Sequence, residues 1–308
     1  MNIFALRSEV FYGANESEQF LSKNYKELIA RWRVCPFAQG IITDTMTPYV
    51  SLWSARFRTL IQYRAAAFAG IATQLFWGLL RVAVFSALYN LSAVRQPISL
   101  PEIITYLWLT QAFFRLSSTY SDGDVRTQIR SGAVAYELLR PLDLYALWYA
   151  RAIADKTAPL LLRAVPLLVA ALLFFGLRFP ASAASGCAWM LAMVFAILLS
   201  AALSLLVTIS YLWTISGDGM NRLVPALVYL ASGTLIPVPL MPAAVQPLVY
   251  FLPFRGLIDT PFRLYMGHIP PNEAVFAIAH QVFWIGICIV AGRRLLAIGT
   301  RRLVIQGG

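Results

Sequence analysis

The groups in this 308-residue chain best equipped for chemistry are two histidines, three cysteines and fourteen carboxylates, and their spacing assembles no catalytic or metal site. His268 and His280 stand twelve residues apart, with no carboxylate in a fixed pattern around either. The H-E-x-x-H arrangement, which puts two zinc ligands and a base on one helix face, is therefore missing. Cys35, Cys187 and Cys288 are odd in number, widely separated and without a Cys-x-x-Cys pair, so neither a disulfide framework nor a zinc site is suggested. No Gly-Lys dipeptide occurs, which removes the phosphate-cradling loop G-x-x-x-x-G-K-[ST]. Any nucleotide-driven work must be powered by another chain. The expectation is a non-enzyme with no metal and no cofactor.

What the chain has in excess is apolar surface. Apolar residues make up 59% of it and charged residues 13%, against roughly 25% charged in soluble domains. A disordered chain lacks such surface, and a soluble enzyme carrying it would aggregate. A membrane-crossing helix needs about 20 mostly apolar residues. Runs of this kind lie at 65–91, 102–120, 158–178, 185–213, 222–238 and 273–293. Six spans put both termini on one side. The net charge of +11 decides which: eighteen basic residues fall in the segments that share a side with the termini, and four in the opposite segments. Basic loops stay in the cytoplasm, so both termini are expected there. The same asymmetry explains the positive charge without nucleic acid.

Upstream of the first span, Tyr49, Leu52, Trp53, Phe57, Leu60 and Ile61 recur at helical spacing among Arg56, Arg58 and Arg64. This predicts a basic amphipathic helix over 47–64 lying in the membrane interface. Met46 opens it, so residues 1–46 read as a poorly defined extension whose first 45 residues are dispensable or an upstream mis-start. No cleaved signal peptide is expected. The longest cytoplasmic loop, 121–157, is patterned: Asp122 or Asp124 can cap a short helix VRTQIR, Gly132 interrupts it, and Arg140-Pro141 ends any helix before it. It reads either as a grip for a soluble partner or as a linker lying on the headgroups. Six prolines between Ile236 and Pro261 forbid a continuous helix, yet LVYFLPF is too apolar for a solvated loop. Region 236–268 is expected to be a re-entrant hairpin on the outer side, with a globular outer cap as the alternative. The region from 294 to 308 reads as a basic cytoplasmic tail.

The expected fold is thus an all-α polytopic membrane protein. It has six transmembrane helices over 65–293, an N-terminal interfacial helix, and an outer re-entrant helical hairpin between the fifth and sixth spans. No carboxylate is expected mid-span, since Glu102 and Glu273 sit at span ends, and this weighs against a proton- or sodium-coupled carrier. Arg115 and Arg163, near inner ends, can snorkel to the headgroups. Arg81, on the order of 12 Å from the outer end of its span, either faces a cavity or partner or reaches outward. His280 reads as a packing histidine, and Ser200, Ser204 and Ser210 as close helix packing. A non-transporting scaffold or assembly subunit stays open. So does a membrane-embedded lipid-modifying enzyme, which no polar cluster supports.

Three stretches together resemble the ATP-binding cassette type-2 permeases, in particular the bacterial six-span export subunits. They are Ile129-Arg-Ser-Gly132 with Leu138-Leu139-Arg140-Pro141-Leu142; Ser232-Gly233-Thr-Leu-Ile236-Pro237 with Met241-Pro242, Leu252-Pro253-Phe254, Pro261 and Gly267; and the lead-in ending Gln62-Tyr63-Arg64. The resemblance covers about 47–295. It implies one half of the membrane part of an exporter in the cytoplasmic (inner) membrane of a bacterium. That half would be embedded in membrane lipids, paired with a second copy or a sibling permease, and docked to a cytoplasmic ATP-binding cassette ATPase subunit. It implies ATPase-coupling positions at Gln128, Ile129, Arg130, Gly132, Glu137, Leu139 and Arg140, and an outer gate at Ile236, Pro237, Pro242, Pro253 and Phe254. A route between the halves would be lined by the first, second and fifth spans, with Phe76, Trp77, Arg81, Trp108, Phe113 and Tyr229 as candidates. Their aromatic, nearly carboxylate-free character suggests an amphiphilic or lipid-like substrate.

Overall fold

The computed structural model describes residues 47–62, 64–92, 96–214 and 218–301. The extension over 1–46, Tyr63, Arg95 and the tail beyond Arg301 lie outside them. The chain forms two units, Met1–Ser51 and Leu52–Gly308. Of the first, only Thr47–Ser51 is described, as the start of helix α1 (Thr47–Gln62). The sites discussed below all belong to the second.

Among the described residues every regular element is a helix. Four are long and apolar enough to cross a membrane: α2 (Arg64–Leu91), α6 (Leu144–Phe174), α7 (Ala183–Ser210) and α11 (Ala274–Thr300). Shorter helices fill the intervals: α3 (Leu100–Ala112), α4 (Gly123–Ser131), α5 (Val134–Leu138), α8 (Asp218–Ala231), α9 (Gln246–Phe251) and α10 (Asp259–Tyr265). The proline-rich stretch forms no helix longer than α10. It alternates α9 and α10 with 3-10 turns at Val238–Leu240 and Pro253–Leu257.

Two expected spans come out differently. The run 102–120 yields α3, 13 residues, and then a 3-10 turn at Phe114–Leu116; the run 222–238 yields α8, 14 residues. At 1.5 Å per residue these are about 20 Å long, short of a hydrocarbon core of about 30 Å. The carbonyls freed where α3 breaks find protein partners: Ser200 Oγ donates to Leu116 O at 2.6 Å, and Lys156 Nζ donates to Ser118 O. Irregular backbone tolerates an apolar surrounding only when satisfied in this way. The third run also starts early. Helix α6 begins at Leu144 rather than at 158, because Asp143 caps it, accepting from Ala146 N–H at 2.6 Å. Pro159 sits inside α6 and lacks the N–H that would close on the Asp155 carbonyl; Arg115 Nε donates to that carbonyl instead, at 3.2 Å.

Helix α7 is the most deeply buried of the long helices and packs on α6, α8, α10, α11 and the Pro253–Leu257 turn. Its inward face is small: Ala192, Ala196, Ala201, Ala202 and Ser200 are fully buried. Small residues let helix backbones approach where no hydrophobic force separates protein from lipid. Helix α2 is the least buried and joins α3 and α6 through glycines. A Cβ at Gly78 would stand 2.5 Å from the Trp108 ring, which is itself buried and stacked on Phe175 at 4.8 Å. Because Trp108 cannot yield, Gly78→Ala is expected to destabilise the protein by about 1–3 kcal/mol, read as a lowered melting temperature in detergent.

Candidate functional site

On the side of the 121–157 loop, charge fixes geometry. Asp122 is the N-cap of α4, its carboxylate accepting from Asp124 and Val125 N–H at 2.8 and 3.3 Å, and Gly132 ends the helix at φ 75°. Arg151 of α6 lies 3.4 Å from each of Asp122, Asp124 and Glu137. Arg56 of α1 joins Asp124 at 2.8 Å and Asp155 at 3.1 Å. Burial alone would ease deprotonation of Arg56, but Asp155, Asp122 and Asp124 outweigh it and hold the guanidinium more firmly protonated. The network ties α1, α4, α5 and α6 into one piece. Asp155, three residues before the expected third span, lies inside α6 and is paired there with Arg56.

The residues expected to couple to an ATPase separate into two groups. Glu137 is buried, accepts from Trp148 Nε1 at 2.6 Å and faces Arg151, so it anchors α5 from within and is no surface contact. On the opposite side Tyr136 is 74% and Leu139 76% exposed, with Leu138 and Arg140 also exposed. Gln128 and Ile129 are half-buried. Arg130 is exposed, pairs with Asp218 at 3.1 Å and sits 5.6 Å from the Tyr211 ring.

The Ser232–Pro237 turn on the other side is held from three elements. Tyr106 of α3 donates to Gly233 O at 2.9 Å, and Arg81 of α2 donates to Thr234 O and, at 2.6 Å, to Leu235 O. Asp259 of α10 donates its N–H to Ser232 O at 3.1 Å and accepts from Val238 N–H at 3.2 Å. Of its two expected placements the structure shows the first: Arg81 lines a cavity, with its Nη2 donating to backbone carbonyls. Of the expected gate residues, Ile236 and Pro242 are exposed, Pro237 and Pro253 are buried, and Phe254 is half-buried against the core.

Asp259 was not singled out in the sequence, although a carboxylate amid an apolar run is a signal. It is fully buried, and burial raises its pKa from 3.8 to about 6, against Arg263 and the Val238 N–H. The folded protein then keeps a proton that the unfolded chain releases, so stability falls as pH rises from 3.8 to about 6. Asp259→Asn keeps an acceptor for Val238 and removes the charge. Its melting temperature is expected to stay flat across that window, while the parent loses on the order of 3 kcal/mol of stability.

A cleft of about 240 Å3 opens between α2, α3 and α8, lined by Thr73, Gln74, Trp77, Arg81, Gln111, Phe114 and Tyr229. It gathers Trp77, Arg81 and Tyr229 from the expected path. Phe76 is not in it; the ring is exposed and lies edge-on to Trp77 at 5.8 Å. Trp108 and Phe113 are core residues, a correction to the expected lining. Trp108 is packed over Gly78, and Phe113 packs on Trp189 and Phe262 at 5.8 and 6.0 Å. Gln74, Gln111 and Phe114 were missed; the signal was a carboxamide inside each apolar run, ATQLFW and LTQAFF.

Long apolar helices with exposed apolar faces, joined by a charge-tied loop, define a multi-pass membrane protein. The chain belongs to the ABC-2 family of transporter proteins, whose family model matches residues 75–307. It is thus a transporter permease, the membrane component of a system whose family generally partners with an ATP-binding cassette ATPase. No curated protein matches the chain.

Proposed function

We propose that this chain is one membrane half of an ATP-driven exporter in the inner membrane of a bacterium, paired with a second copy or a sibling permease. In this reading it crosses the membrane six times. The crossings are α2, α3 with its 3-10 turn, α6, α7, α8 and α11, and the proline-rich segment re-enters from the outside where α3 and α8 fall short. Both termini face the cytoplasm, α1 lies in the interface, and Ile236, Pro242 and Phe254 belong to the outer gate.

The observation that carries the reading is the surface at α5 and its C-terminal end: Tyr136, Leu138, Leu139 and Arg140 stand exposed there, while the other face of α5 is locked to α6 through Glu137, Trp148 and Arg151. Apolar groups presented by a rigidly held loop fit docking of a soluble ATPase, and the charge network would pass its movement to α1 and α6. The test is reconstitution in vesicles with and without the ATPase that co-purifies in mild detergent, following a fluorescent amphiphile. Accumulation is expected only with both proteins and ATP. Uphill movement by the chain alone refutes the reading, as does a membrane-impermeant reagent labelling a cysteine at position 301 from outside intact cells.

A further inference from the structure

We infer that the cleft between α2, α3 and α8 takes the oxyanion head of an amphiphile, with Arg81 as the group that holds it; this rests on the permease reading and gives the class of molecule the site accepts. Arg81 stands in the interior of an apolar helix and lines the cleft, with no carboxylate beside it. Among the described residues it forms no ion pair, and both of its hydrogen bonds leave from Nη2, to the Thr234 and Leu235 carbonyls. Those carbonyls satisfy N–H groups and cancel no charge. The N–H groups of Nε and Nη1 are left for a ligand. A cation without a counter-ion in an apolar span is costly. An oxyanion at Nε or Nη1 neutralises it and leaves undisturbed the turn that Nη2 holds.

The rest of the lining agrees with that sign. Gln74 and Gln111 carry carboxamide N–H groups and Tyr229 a phenol, all able to donate to the further oxygens of a phosphate, sulfate or carboxylate. Thr73 adds nothing, because its hydroxyl donates to the Ala69 carbonyl at 2.9 Å. A cationic head would find no carboxylate and would face the guanidinium. A neutral head could bond to the same groups but would leave Arg81 uncompensated, and hydrogen bonds to ionised partners are about twice as strong as neutral ones. The volume of about 240 Å3 is below the roughly 300 Å3 at which pockets for whole drug-sized ligands begin, so the cleft suits a head alone. The apolar chain then lies along α2, where Phe76, Leu80 and Val84 are exposed at four-residue spacing beside the face that carries Gln74, Trp77 and Arg81.

The chain in phosphatidylcholine nanodiscs is labelled with a photoactivatable decyl phosphate, and the crosslinks are mapped by mass spectrometry. Decyl phosphate, decyl glucoside and decyltrimethylammonium then compete at matched membrane concentrations, beside inorganic phosphate at the same total concentration. Saturable labelling within the cleft is expected, displaced about tenfold more effectively by decyl phosphate than by the glucoside. The ammonium should displace it less still, and inorganic phosphate, which lacks the chain, not at all. Exchanging part of the lipid for phosphatidylglycerol separates two sources of the same head: displacement assigns the site to a resident phospholipid, persistence to a free amphiphile. Arg81→Gln should abolish the preference for phosphate. Gln74→Glu, at a half-buried position seven residues before Arg81 on the same helix face, supplies the missing carboxylate and should weaken phosphate labelling about tenfold. Equal displacement by all three decyl heads, displacement by inorganic phosphate, unsaturable labelling spread over the lipid-facing helices, or an unchanged preference in Gln74→Glu overturns the inference, whether or not Arg81→Gln folds. No nucleotide or ATPase enters this measurement, so loss of head selectivity leaves the permease reading standing. Transport without ATP would sink that reading and leave the binding intact.

Discussion

Leu139→Asp is expected to abolish ATP-coupled transport while the protein still inserts, purifies as a single species and melts at the parent temperature. Leu139 is 76% exposed, so its replacement changes the fold by no more than about 0.5 kcal/mol. In a docked complex the same position would be covered. An unpaired carboxylate buried at an interface costs about 2–4 kcal/mol, which lowers ATPase association by roughly 30- to 1,000-fold. Glu137→Gln should behave in the opposite way. Removing the charge that Arg151 and Trp148 share is expected to lower stability by about 1–3 kcal/mol, with any loss of coupling following from the loosened loop. Binding of the purified ATPase to each variant in nanodiscs, beside a melting curve, separates the two. Undiminished ATPase affinity in Leu139→Asp would remove the docking role from α5.

These two neighbours show what a sequence discloses here and what it withholds. Apolar runs are a one-dimensional property, so α2 and α7 were legible to within three residues of their ends and α11 at its start, although it continues to Thr300 where the expected run stopped at 293; the breaks at Gly132 and through the proline-rich stretch were legible too. The Asp122 cap was legible as one of two candidates; the choice needed the turn geometry in which its carboxylate reaches two N–H groups. Sidedness around a short helix was not legible. Glu137 on α5 and Leu139 at its C-cap are two apart, one buried and the other exposed, and with so few turns no periodicity separates anchor from surface. The early start of α6 was hidden because Arg151, Asp155 and Lys156 look like loop residues until Arg56, Asp122 and the Ser118 carbonyl arrive from elsewhere in the chain. Arg81 is the same case over a longer distance: its partners at Thr234 and Leu235 are more than 150 residues away, and only the folded chain shows a charge held by backbone carbonyls. Trp77 and Trp108 are alike as letters; Gly78 beside the first and opposite the second decides which of them is covered.

Gly233→Ala should be the most damaging small substitution in the Ser232–Pro237 turn, because three penalties meet there. The residue sits at φ 87°, which costs an L-residue about 1–2 kcal/mol. Its new Cβ would lie 2.4 Å from the Tyr106 hydroxyl and 3.0 Å from Asp259 Cβ, and both residues are fully enclosed. Relief requires moving Tyr106, which donates to the Gly233 carbonyl, or moving the turn, which Arg81 and Asp259 hold. Overpacking adds about 1–3 kcal/mol, so a total on the order of 3–4 kcal/mol is expected. Tyr106→Phe removes the clashing oxygen at the expense of one hydrogen bond, about 1 kcal/mol alone. In combination the two changes should cost about 1–2 kcal/mol less than their sum, since the phenylalanine leaves room for the methyl group while the backbone strain persists. Melting temperatures of the parent, both single variants and the double variant give this coupling directly. Strict additivity would mean that the turn yields before the ring does. The hold of Arg81, Tyr106 and Asp259 on Ser232–Pro237 would then be too weak to set the Arg81 end of the cleft.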